Sequence, residues 1–305
     1  MPIPVLLKGR LTIPAICAPM FLISGPKLVY ACCTAGMVGS FPALNARSSS
    51  KLDEWLTILN LDLKKYQCES PCTPCAPFAV NLILHPSNVR READLQILIQ
   101  HRVPLIITSL GNPSKIVDAT RSYGGLVFSD VIHSTHARKA IDSGADGIIV
   151  VANGAGGHAG TQSAFSLVRE IREFWDGPLV LGGAISDGAA LRAAEVLGAD
   201  LGYIGTRFIA SDESLATEAY KKKLIEATVE DIVYTSEVSG TPANFLRATL
   251  IQDKGETPPR PWLEAWSAGH GVALIKDIVP ASTLVRRLAA EYHKACQLPI
   301  SNACY

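Results

Sequence analysis

The segment with the most chemical promise is NGAGGHAG, residues 153–160. Four of its eight residues are glycine. Neither a helix nor a strand interior is stable with that content, so the segment is a loop that takes unusual dihedrals or lies against a ligand. His158 is its only titratable side chain. An imidazole whose ordinary pKa is about 6.5 suits general acid–base work at the end of a strand. The competing reading is a histidine hydrogen-bonded inside its own loop. Two more glycine clusters, GGAIS at 182–186 and GTRF at 205–208, each follow a short apolar run. Glycines there let backbone N–H groups approach an oxyanion with no Cβ in the way. Taken together, Gly182, Gly183, Gly205 and the hydroxyl of Thr206 read as a phosphate cradle, whereas either cluster alone is an ordinary turn. In ICAPM (16–20) the strand stops at Pro19, and Met20 either packs on a flat ring or fills a gap. Asn81, polar within the buried-strand pattern AVNLI, needs a hydrogen-bond partner that a ligand would supply if the side chain faces inward.

Other reactive groups are less organised. Cys68, Cys72 and Cys75 have the spacing C-x₃-C-x₂-C, which could hold three corners of an iron–sulfur cluster. No fourth ligand is apparent, so a proline-rich loop with reduced thiols and no metal is expected. His85, His101, His133, His136 and His270 lack a repeated ligand spacing and read as surface or capping residues. No GxGxxG opens a βαβ unit, which leaves no case for a dinucleotide-binding Rossmann domain.

Placing these residues at strand tips requires strands. Short, continuously apolar runs occur at 15–18, 37–41, 78–83, 104–109, 125–130, 147–152, 178–183 and 201–205. That pattern suits parallel strands covered on both faces. Helix-like runs separate them. In READLQILIQHR, Leu95, Leu98 and Ile99 share a face, with Asp94 elsewhere. In SAFSLVREIREFWDG, Phe165, Val168, Ile171 and Trp175 recur at helical spacing, with a stop at Gly177. SDGAALRAAEVLGAD offers Ser186 or Asp187 as a cap and stops at Gly198. Eight βα units make a closed (β/α)8 TIM barrel. A doubly wound sheet would need fewer strands and a reversal of strand order, which sequence does not display. The expected organisation is the main part of the barrel over 1–211, a helical and loop excursion over the barrel mouth at 212–279 that includes the proline-rich ETPPRPW (256–262), and a closing C-terminal helix within 280–305.

Composition narrows the function classes. The 305 residues carry 28 Lys+Arg against 28 Asp+Glu, so the net charge is zero and a nucleic-acid partner has no electrostatic support. No run of apolar residues is long enough to span a membrane, and the start lacks the charge order of a secretory signal. A cytoplasmic, reducing location is expected for the eight cysteines. Oligomeric state is not legible.

Together these pieces resemble the nitronate monooxygenase family, historically called 2-nitropropane dioxygenases. The matching segments are APM at 18–20, FAVNL at 78–82, AGGHAG at 155–160, GGAISDG at 182–188, LGADLGYIGTRF at 197–208, SGTPANFLR at 239–247 and WSAGHG at 266–271. The resemblance implies a TIM barrel holding one non-covalent FMN. It puts the phosphate against Gly183, Gly205 and Thr206, the ring near Ala18, Pro19, Met20 and Asn81, and His158 beside the substrate. It implies oxidation of alkyl nitronates with O₂ through electron transfer to the flavin. Relatives in the same family include NAD(P)H:quinone reductases and an enoyl-acyl-carrier-protein reductase, so an NAD(P)H-dependent flavin oxidoreductase that reduces a quinone or an enoyl thioester is the alternative. One departure stands out. Family members carry a polar run with glutamine and glutamate before AGGH, where this chain reads VANG, with Val151 and Gly154.

Overall fold

The computed structural model describes residues 3–250 and 259–298. Eleven strands are present among them: β1 Ala15–Cys17, β2 Ser40–Pro42, β3 Ala79–Ile83, β4 Leu105–Ser109, β5 Leu126–Val131, β6 Gly147–Val151, β7 Gly157–His158, β8 Leu179–Gly182, β9 Leu201–Ile204, β10 Ile232–Thr235 and β11 Ala243–Leu246. Eight form one parallel sheet in the order β1-β9-β8-β6-β5-β4-β3-β2. A parallel bridge between Ile16 and Val38 joins the two ends, so the sheet closes as a (β/α)8 barrel. Each of the eight apolar runs supplies one strand. The second is shorter than its run, because only Ser40–Pro42 pairs regularly with β3.

The helices are α1 Pro26–Thr34, α2 Ser49–Glu69, α3 Arg91–Gln100, α4 Ser114–Arg121, α5 Ser134–Asp142, α6 Ala164–Arg172, α7 Gly188–Leu197, α8 Thr206–Ile209, α9 Glu218–Glu226 and α10 Ala281–Cys296. Their ends follow local chemistry. The side chains of Ser48, Ser163, Asp187 and Thr217 accept hydrogen bonds at four N-termini. Gly198, at φ 118°, ends α7 in the left-handed region. Asp200 accepts from the N–H of Leu179 (2.8 Å) and from Arg172 of α6 (2.6 Å), which ties the starts of β8 and β9 to the helix that precedes them.

Three local readings need correction. Phe165 is 72% exposed, and Leu167 takes its place beneath α6 with Val168 and Ile171. Gly177 does not stop that helix, which ends at Arg172. Asp94 is fully buried on α3 beside Leu95 and Leu98, because Ser49 Oγ and Arg90 hydrogen-bond its carboxylate at 2.6 and 3.0 Å. Hydrophobic periodicity cannot anticipate a buried acid held by its own helix cap and by a serine from another helix.

Beyond β9 the chain contributes α9 and also a hairpin of β10 and β11, which pair antiparallel. β11 then pairs with β7, so the excursion is hydrogen-bonded to the loop that carries His158. α10 packs against α7 and α1, with Leu284, Val285 and Leu288 in the core. Residues 256–258 of ETPPRPW and residues 299–305 lie outside the described residues. No helix among the described residues is long and apolar enough to cross a membrane.

Candidate functional site

A cavity of about 1070 Å³ opens at the C-terminal ends of the barrel strands. Strand alternation builds its floor. Phe128, Ile149, Val180 and Leu201 share the central cluster of the barrel, and the residue two further along each strand faces the same way. Those residues are Asp130, Val151, Gly182 and Tyr203, all of which line the cavity. Asn81 and Ser109 complete the layer from β3 and β4, and Ala18 from the end of β1. The floor therefore has a polar arc on β3–β5 and a mainly apolar arc around the remaining strands.

The polar arc is one hydrogen-bonded chain. Asn81 Nδ2 donates to Ser109 Oγ (2.7 Å) and to the carbonyl of Ile107 (3.2 Å), and Ser109 Oγ donates to Asp130 Oδ2 (2.5 Å). With its amide hydrogens committed, Asn81 presents Oδ1 as its free acceptor. Asp130 Oδ1 and the hydroxyl of Tyr203 are buried without a partner among the described residues. Burial pushes the Asp130 carboxyl up to about 7. It pushes the Tyr203 phenol up as well, with the charge of Asp130 adding to the effect.

The two glycine clusters meet because β8 and β9 are neighbours in register, Gly182 opposite Tyr203. Among the described residues nothing accepts from the backbone N–H groups of Gly183, Ala184, Gly205 or Thr206. Gly183 takes φ 135°, and a Cβ there would lie 2.8 Å from the carbonyl oxygen of Asn153. Thr206 Oγ1 accepts from the N–H of Gly269 (2.9 Å), which leaves its hydroxyl hydrogen free to donate. Met20 comes near the same place: its sulfur would be 3.7 Å from a Cβ on Gly205. This set of uncommitted N–H and O–H donors matches a phosphate, and the floor layer beside it offers a surface for a flat ring. The residues present thus fit FMN.

His158 lines the same cavity. The excursion fixes its loop: Asn244 Nδ2 donates to the carbonyl of Ala155 (2.7 Å), Ser267 Oγ accepts from the N–H of Gly157 (2.5 Å), and Tyr234 OH donates to the carbonyl of Ala159 (3.0 Å). Gly154 and Gly156 of NGAGGHAG therefore serve the approach of this strap. A Cβ on Gly156 would come within 3.0 Å of the N–H nitrogen of Gly269. The imidazole is exposed to the cavity, and no group among the described residues hydrogen-bonds its nitrogens. The enclosing protein still thins the water around it and holds its pKa below the ordinary histidine value. Its one close ring neighbour among the described residues is Trp262, edge-on at 5.1 Å.

All nine residues singled out in the sequence line this one cavity: Ala18, Pro19, Met20, Asn81, His158, Gly182, Gly183, Gly205 and Thr206. Sequence reasoning missed Ser109, Asp130, Tyr203 and Trp262. The available signal was the run ending LVFSD, in which an acid sits at an inward-facing strand position. Cys68 and Cys72 are exposed and Cys75 is buried, and none of the three lines the cavity. His133 and His136 stand ring to ring at 5.2 Å near the start of α5, and His136 reaches the cavity rim.

Comparison with known proteins bears on the same surface. The sequence profile described as "Nitronate monooxygenase" matches residues 65–277. A (3aS,4S,5R,7aS)-5-hydroxy-7a-methyl-1-oxo-octahydro-1H-indene-4-carboxyl-CoA dehydrogenase of Rhodococcus jostii is 26% identical over 78% of this chain. The match spans 64% of that relative's own length. A nitronate monooxygenase of Paraburkholderia phytofirmans is 25% identical over 85% of this chain and 81% of its own. Among solved structures, FabK from Thermotoga maritima superposes with a TM-score of 0.80 at 26% identity, covering 96% of each chain. The matched profile takes in the cavity floor from β3 onward, the His158 loop and both glycine clusters, and on that extent the chain belongs to the nitronate monooxygenase family of TIM-barrel, flavin-dependent oxidoreductases.

Proposed function

We propose that the protein is an FMN-dependent oxidoreductase that passes electrons from NAD(P)H to a conjugated carbonyl acceptor, an enoyl thioester or a quinone. The observation that carries this reading is the state of His158. Its pKa is held below the ordinary value, so at neutral pH the imidazole is predominantly uncharged. A neutral imidazole provides an N–H donor for a carbonyl oxygen on which charge builds. It does not provide the fixed positive charge that would hold a nitronate anion. Among the described lining residues the only lysine or arginine is Lys139, which shares α5 with the cavity-lining Asp142. Val151 and Gly154, in place of the family's polar run, add no polar side chain to the lining, and the cavity has room for a substrate larger than a nitroalkane. The carboxyl-CoA dehydrogenase among the relatives supports a thioester as the substrate class.

In this reading Gly182, Gly183, Gly205 and Thr206 hold the phosphate of FMN, and Ala18, Pro19, Met20 and Asn81 flank its ring. FMN when bound supplies two-electron transfer. His158 orients the acceptor's carbonyl and holds the proton donor next to it, while Trp262 and the strap of the excursion limit water around both. The second reading is oxidation of alkyl nitronates with O₂, favoured by the family profile and by the Paraburkholderia relative. Anaerobic turnover tests the proposal. Purified holoprotein should oxidise NAD(P)H in the presence of a short enoyl-CoA or a benzoquinone. Activity confined to nitronate with O₂, and none with NAD(P)H and either acceptor, would replace the first reading by the second.

A further inference from the structure

Asp130 is the one acid in the inward-facing layer beneath the cavity, and neither glycine cluster nor His158 accounts for it. Its two oxygens differ. Oδ2 accepts from Ser109 Oγ at 2.5 Å, and Ser109 accepts in turn from Asn81 Nδ2 at 2.7 Å. Oδ1 is buried and has no partner among the described residues. An ionised carboxylate would leave that oxygen's charge uncompensated in a low-dielectric floor. A proton on Oδ1 removes the charge and leaves the chain of donors through Ser109 intact. The groups facing Asp130 from the surrounding strands offer no counter-charge. They are Ser109 on β4, Ile149 and Val151 on β6, Asn81 on β3 and Tyr203 on β9. Of these only Tyr203 titrates, and it would be neutral or negative. The other ionisable groups around the cavity are His136, Lys139, Asp142, His158, Tyr220 and Tyr234.

We propose that Asp130 is a positioning acid of the site: it stands protonated under the bound cofactor at mildly acidic pH, and its ionisation as the pH rises through neutrality puts a negative charge into the floor. The proposal rests on the reading that this cavity holds FMN. Two consequences follow from its place in the layer. While Asp130 is neutral, the floor does not oppose the negative charge that a cofactor gains on reduction. Once it is ionised, like charges share a poorly solvated site and reduction becomes harder. Ser109 modulates the balance. Its hydroxyl favours the ionised form by donating to Oδ2, so removing it makes the proton harder to lose.

The test follows the visible absorption of the bound cofactor and its midpoint potential against pH, in the wild-type holoprotein, Asp130→Asn and Ser109→Ala. The wild type should show a spectral inflection near about 7, with the potential falling more steeply above it. Asp130→Asn should lose the inflection, and Ser109→Ala should move it to higher pH. A merely structural role for either residue would not shift a titration midpoint in a chosen direction. Infrared difference spectra between about pH 5.5 and about pH 8.5, where ordinary carboxylates stay ionised, read the acid without the cofactor. A protonated-carboxyl band that disappears with rising pH in the wild type and is absent in Asp130→Asn is expected. A flat wild-type titration, or an inflection retained in Asp130→Asn, overturns the proposal. A chain purified without any flavin overturns the functional reading instead, and the infrared band then decides the protonation of Asp130 alone: its absence sinks that claim too. Should Asp130→Asn not fold, the upward shift in Ser109→Ala decides, and an unmoved or lowered midpoint counts against the proposal.

Discussion

The imidazole of His158 stands edge-on to the indole of Trp262, with 5.1 Å between ring centroids and 72° between ring planes. The two residues come from different parts of the chain. His158 belongs to the loop after β6, and Trp262 to the excursion after β9, where it also packs on Phe245 at 5.0 Å. Their contact makes the excursion one wall of the site, and it gives that segment a share in setting the chemistry of the histidine.

Replacing that wall tests the relationship. Trp262→Ala admits water to the imidazole and weakens the desolvation that lowers its pKa. The His158 pKa should move up toward about 6.5, read from the pH dependence of its ring proton shifts. The acid limb of kcat/KM should move to higher pH with it, since a larger share of the imidazole is then charged at a given pH. An unmoved titration would show that Trp262 is not what desolvates the ring.

His158→Ala should keep its cofactor, because the donors proposed for the phosphate lie on the loops after β8 and β9 and not on the loop after β6. It should lower kcat/KM by about 10²–10⁴, the usual scale for a positioned acid–base group. Flavin content equal to wild type together with an unchanged kcat/KM would remove His158 from the mechanism.

Gly183→Asp should yield a folded chain without cofactor. The position takes φ 135°, and the added Cβ would press on the carbonyl of Asn153 at 2.8 Å. A carboxylate would then stand where the phosphate charge has to sit. Flavin per chain, measured after gel filtration, should fall to a small fraction of the wild-type value, while the far-ultraviolet dichroism is retained. Full flavin occupancy in this variant would place the phosphate elsewhere.

The eight barrel strands were legible because parallel strands buried on both faces read as unbroken apolar runs, and β4 and β6 are plain examples: IIT and IIVV face both core layers. The glycine clusters were legible for a different reason, since residues such as Gly183 declare a backbone that other residues resist. Asp130 was not. An acid at the end of a strand looks like the start of a loop, and only the register that carries Phe128 and Asp130 to the same side places it in the floor. Trp262 and the β7–β11 pairing were hidden as well, because a two-residue strand such as Gly157–His158 has no periodicity to read. Phe165 was misread for a related reason: it shares helical spacing with Val168 and Ile171, but the buried stripe of α6 runs through Leu167, Val168 and Ile171 and leaves the first turn outside the core.

Asp130→Asn should also change how stability depends on pH. The native carboxyl titrates near about 7, against 3.8 for an unperturbed aspartate. Between those values the native chain retains a proton that the unfolded chain has lost, so wild-type stability declines as pH rises through this window and levels off above it. Asparagine has no proton to lose. The stability of the variant relative to wild type should therefore grow from about pH 4 to about pH 7, by up to about 4 kcal/mol. Urea unfolding at several pH values measures it. A difference that stays constant across the window would contradict the raised carboxyl pKa.

The most direct measurement is anaerobic stopped-flow mixing of the purified holoprotein with NAD(P)H or with propionate 3-nitronate, while the flavin absorbance is followed. The account predicts that NAD(P)H bleaches the flavin rapidly, and that an enoyl thioester or a quinone then restores the colour without oxygen. A flavin that ignores NADH and NADPH but is bleached at once by the nitronate would contradict it.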